Sequence, residues 1–139
     1  MANTQSTTLS SEEALQVLDS ATRSAQEREE ALHILAKDPI PAHIDRLIQA
    51  LEDRQLGVRW EAAVALAKLG NLAVVPLLRA LIYQHDSAWL REGAHHVFSA
   101  CSDPDICKRT EALRQALRGS APEVATTDAA FKVLQSLDQ

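Results

Sequence analysis

Apolar residues recur along this chain in pairs four apart, and the pairs come in a fixed order. In one pattern an apolar residue is followed four positions later by Leu: Ala14/Leu18, Leu47/Leu51, Leu77/Leu81 and Leu113/Leu117. A second pattern follows each first one after 11 to 13 residues, with Ala leading a large apolar residue: Ala31/Leu35, Ala62/Leu66, Ala94/Phe98 and Ala130/Leu134. A spacing of four places both members of a pair on one face of a helix. Each unit therefore reads as two helices, A then B, and the B-helix pairs recur with a period of 31 to 36 residues. The spacing predicts A helices over 11–20, 41–52, 73–84 and 104–118, and B helices over 25–37, 57–69, 88–101 and 127–138.

Local signals agree with this division. Ser10 and Glu13 make a capping box ahead of the first helix. Pro41 suits the first turn of the second A helix, and Gly70-Asn71 marks a tight helix hairpin. Asp103-Pro104 opens the last A helix, Gly119-Ser120 closes it, and Thr126 or Thr127 caps the last B helix. A two-helix unit cannot bury its apolar face alone, whereas stacked units share a continuous core. The position held by Val58 and Leu90 in the middle units is Glu27 in the first and Thr126 in the last, as expected of capping units. The expected organisation is a flexible N-terminal segment over 1–10 and one domain over 11–139. Its repeats cover about 11–38, 39–70, 71–102 and 103–139.

Composition supports an all-α domain. Among 139 residues there are 23 Ala and 19 Leu, but only 4 Gly, 5 Pro and 4% aromatic residues. A net charge of −5 argues against nucleic-acid binding, which depends on neutralising phosphates. The apolar runs 62–67 and 72–78 are far shorter than a membrane span, and the N-terminus has no signal-peptide pattern. Cys101 and Cys107 do not make a secreted disulfide framework, so the expected setting is cytoplasmic.

The run from Val58 through Trp60 and Ala62 to Gly70, followed by Ala73–Leu81, resembles HEAT-like repeats of the short type first noted in phycobilisome (bilin) lyases. Leu90-Arg91-Glu92-Gly93-Ala94 is a weaker second copy. The resemblance implies an α-solenoid of four antiparallel helix pairs in a right-handed superhelix. It also implies an inter-repeat ladder in which the Arg three residues before the B-helix Ala (Arg28, Arg59, Arg91) pairs with an Asp in an A–B turn. Asp53 and Asp86 are the candidates. A planar guanidinium suits that role because it holds several acceptors at once.

No catalytic frame emerges. The five His residues show no H-E-x-x-H motif and no pair four apart, and His95-His96 point about 100° apart on a helix. There is no G-x-S-x-G and no phosphate-binding loop, so no metal and no cofactor is expected. Cys101 reads as a core thiol. Cys107, near a helix start beside Lys108 and Arg109, is a weaker candidate for reactivity.

The leading functional reading is a non-catalytic module that binds a protein or peptide. One alternative is a subunit of a bilin lyase-type enzyme or tetrapyrrole-binding protein, and another is a self-associating structural protein. In HEAT-type stacks the B helices line the concave face. Carrying the register across units places Glu29 and His33, Trp60 and Val64, Glu92 and His96, and Asp128 and Lys132 on that face. An apolar centre inside an acidic rim favours a partner with basic residues.

Overall fold

The computed structural model describes residues 9–84 and 87–138. Its helices are α1 (Ser11–Asp19), α2 (Ala25–Ala36), α3 (Pro41–Gln49), α4 (Leu56–Leu69) and α5 (Asn71–Tyr83). They continue as α6 (Ala88–Ser99), α7 (Pro104–Arg109), α8 (Glu111–Leu117) and α9 (Pro122–Leu137). No strand occurs among the described residues, and the chain is an all-α solenoid. Most of the segment expected to be a flexible N-terminus lies outside the described residues. Its last two residues are structured: Leu9 packs against the core, and Ser10 caps α1 in the expected box with Glu13.

Both families of apolar pairs are buried with one exception. All eight members of the A-helix pairs are in the core, as are Ala31, Ala62, Ala94, Ala130, Leu35, Leu66 and Phe98. Leu134 is only half-buried, and Val133 beside it takes the core position. The second helices of the first three units, α2, α4 and α6, pack side by side as one row. The first helices α1, α3 and α5 back that row. α4 sits in the middle, touching α2, α3, α5 and α6, which explains why its sequence is apolar nearly all round.

Local chemistry sets the boundaries. Ser24 and Glu27 form a second capping box at α2, so Glu27 is spent on the helix end. Gly70 adopts φ +60° between α4 and α5, a conformation that favours Gly, and lets the two helices meet with almost no loop. α5 starts at Asn71, so Pro76 lies inside the helix and not in its first turn. α9 starts at Pro122, five residues before its expected start at 127, with no side-chain cap from Thr126 or Thr127. Thr126 is fully buried and does not form a polar end to the stack.

The fourth unit departs from the expected stack. The helix expected over 104–118 is broken at Thr110, a buried residue whose hydroxyl donates to the Ile106 carbonyl at 2.8 Å. Such back-bonding bends helices. α7 lies across the end of the α5–α6 pair: Asn71 Nδ2 donates to the Asp103 carboxylate at 2.8 Å, and Ile106 is buried. From there α8 packs on α6, and α9 runs along α5. The pair is thus turned round. Its first helix extends the row of second helices, and α9 joins the backing layer. Arg109 Nη1 donates to the Ser136 carbonyl at 2.8 Å, tying α7 to the end of α9.

Candidate functional site

The outer surface of the α2–α4–α6 row carries most of the expected binding residues. Trp60 is 55% exposed, and its ring meets that of His96 with centroids 4.8 Å apart and planes tilted by 53°. This contact joins α4 to α6. Trp89, 45% exposed, sits under the Arg59 guanidinium at 4.2 Å, a cation–π contact between the same two helices. Between the two indoles lies a groove of about 80 Å³ with Leu51, Ala63 and Gly93 in its lining and Leu56, 67% exposed, at its edge. Gly93 lets α6 approach Leu51 closely there. A Cβ at that position would stand 2.7 Å from Leu51 Cδ2.

The flank toward α2 is polar. His33 Nε2 lies 2.9 Å from a Glu61 carboxylate oxygen, bridging α2 to α4. Glu29 is half-buried with its carboxylate against Gly57, and Val64 is half-buried on α4. Glu92 is exposed on α6.

Asp128 and Lys132 do not belong to this surface. They form an exposed ion pair of 3.1 Å on α9, which packs against α5 and α8. The reversal of the last helix pair removes them. In their place α8 brings Arg114 and Arg118 to the side of α6 that carries His95. The flank expected to be an acidic rim therefore carries arginines beside Glu92. Burial first, then the charges of Arg118, Arg114 and His96, hold the His95 imidazole below its ordinary pKa.

Of the expected Arg series, Arg28 ion-pairs with Asp53 across units one and two. Its Nε donates to the Asp53 carboxylate at 3.0 Å, and its Nη1 to the Leu18 and Ser20 carbonyls at 3.0 and 3.2 Å. These donors fill one side of a polar pocket of about 200 Å³ beside Asp19 and Arg54. Arg59 reaches Asp53 differently, donating at 2.8 Å to its backbone carbonyl while its guanidinium covers Trp89. Arg91 is half-buried on α6. Asp86 lies outside the described residues.

Sequence reasoning passed over Trp89, Leu56 and Glu61 as site residues. Trp89 is the second of the chain's two tryptophans, but its partner Arg59 was assigned to the ladder alone. Burial, the main cause, pushes the Cys101 thiol up and makes it a poor nucleophile. Among the described residues no three His, Cys, Asp or Glu side chains come together as a metal-binding group. No described helix is long and apolar enough to cross a membrane.

A comparison with protein families matches residues 11–99 to HEAT repeats. The match ends with α6, where the packing order turns round. No curated protein and no solved structure matches the chain. With three helix pairs stacked in register and the match spanning well over half of the sequence, the chain belongs to the HEAT repeat family.

Proposed function

We propose that this protein is a non-catalytic protein-binding module, and that its α4–α6 surface, the concave side of a HEAT stack, docks a segment of a partner protein. The observation that carries this reading is the pair of exposed indoles, Trp60 and Trp89, framing a groove with room for one apolar side chain. Both rings are held by the protein itself, Trp60 against His96 and Trp89 under Arg59, so little freedom is lost when a partner arrives. Large preorganised aromatics inside a polar surround are the usual source of interface energy. HEAT repeats commonly serve as interaction scaffolds, which supports the same conclusion. A reducing, cytoplasmic setting is part of this reading, and both cysteines are free thiols.

The test compares the wild-type chain with Trp60→Ala as baits for cross-linking and mass spectrometry. The expected result is a partner captured by the wild type and lost with the variant, with a Kd at least about 30-fold weaker, or about 2 kcal/mol. Helical circular dichroism should be unchanged, because the exposed indole is not core. Equal capture by both baits, or unfolding of the variant, would refute the placement of the surface. A partner identified as a second copy of the chain would replace it with self-association.

A further inference from the structure

We infer that the recess between α6 and α8 receives an acidic side chain of the docked segment, so that the partner carries a carboxylate beside its apolar anchor. The inference rests on the docking surface proposed above and adds the partner's chemistry.

The recess holds about 450 Å³ and is bordered by Glu92 and His95 on α6 and by Leu117, Arg118 and Pro122 across from them. Arg118 is exposed, and no hydrogen bond or ion pair joins its guanidinium to another described residue. One turn earlier, Arg114 gives Nη2 to the Cys107 carbonyl at 2.6 Å, while its Nε is buried without a partner. Burial first, and then the charges of Arg118 and Arg114, lower the His95 pKa. Among the described lining residues Glu92 is the one carboxylate. In a chain of net charge −5, Arg114 and Arg118 thus stand beside Glu92 at one end of the proposed docking row.

Geometry joins this recess to the indole groove. Glu92 borders both, so a segment crossing α6 can place an apolar side chain between the indoles and a carboxylate near Arg118. A guanidinium whose donors are unspent binds a carboxylate through paired charge-assisted hydrogen bonds. Complementary charge of this kind sets partner choice and orientation more than raw affinity.

Selection of a displayed library of short random peptides on the full chain tests the inference, with parallel selections on Arg118→Glu and Trp60→Ala. The wild type should enrich peptides with an aromatic or aliphatic anchor and a nearby Asp or Glu. On Arg118→Glu the acidic preference should disappear, and peptides enriched on the wild type should bind that variant about tenfold more weakly. On Trp60→Ala the apolar anchor should be lost. Anchored peptides with neutral or basic flanks, or an acidic preference unchanged in Arg118→Glu, would overturn the acidic-partner inference and leave the docking surface standing. Enrichment insensitive to Trp60→Ala, or no enrichment on any bait, would overturn both.

Discussion

Arg28 holds the first unit to the second, and removing it should be among the most damaging single changes in this chain. Its side chain is 18% exposed and that of Asp53 only 5%. Arg28→Ala deletes the ion pair and also frees the Leu18 and Ser20 carbonyls. It leaves the Asp53 carboxylate with the backbone N–H of Gln55, at 2.9 Å, as its remaining donor. Breaking a buried pair by removing one partner costs about 3–5 kcal/mol, because the surviving charge is left uncompensated. The opening left by the missing side chain lets water reach Asp53, so the low end applies, about 3 kcal/mol. At about 3 °C per kcal/mol for a domain of this size, the midpoint of thermal unfolding should fall by about 9 °C. Arg28→Lys should fall by about half as much, since one ammonium cannot serve a carboxylate and two carbonyls together. Circular dichroism melts of the three proteins provide the measurement. A drop under about 3 °C for Arg28→Ala would show that the pair is solvated like an ordinary surface bridge.

Four further outcomes follow from the packing. Leu66→Ala, at a fully buried site in the central helix, should lose about 2–5 kcal/mol in urea unfolding, and a near-neutral result would mean that the α4 register is wrong. Gly93→Ala would drive a methyl into Leu51, which is 1% exposed, so overpacking of about 1–3 kcal/mol should outweigh the helix propensity of about 1 kcal/mol that Ala adds. A more stable Gly93→Ala protein would rule out the close α6–Leu51 contact. Because the native pKa of His95 lies below 6.5, the unfolded chain holds more protons in the interval between the two values, and stability should rise with pH across it. Arg118→Ala should raise the His95 pKa in an NMR titration and shrink that rise; an unmoved titration would separate Arg118 from the recess.

Much of this architecture was legible from residue spacing. Helix-period pairs such as Leu47/Leu51 and Ala62/Leu66 identify a buried face directly, because i and i+4 lie one above the other on any helix. The Ser10 box, the Gly70 hairpin and the exposure of Trp60, opposite the buried Ala62, followed from equally local rules. Those rules state which side of a helix is covered. They do not state what covers it. Leu113, Leu117 and Ala130 are buried as their spacing requires, yet against α6 and α5 in the reverse of the repeat order. The cause is a long-range fit: a bend at Thr110, Ile106 seated at the end of the third pair, and Asn71 holding Asp103 from 32 residues away. That fit moved Asp128 and Lys132 off the α2–α4–α6 row and put Arg118 beside His95, changing the charge of one flank of the proposed site. The pairing of Arg59 with Trp89 was hidden for the same reason, since contacts between neighbouring helices depend on how they pack and not on the period within either one.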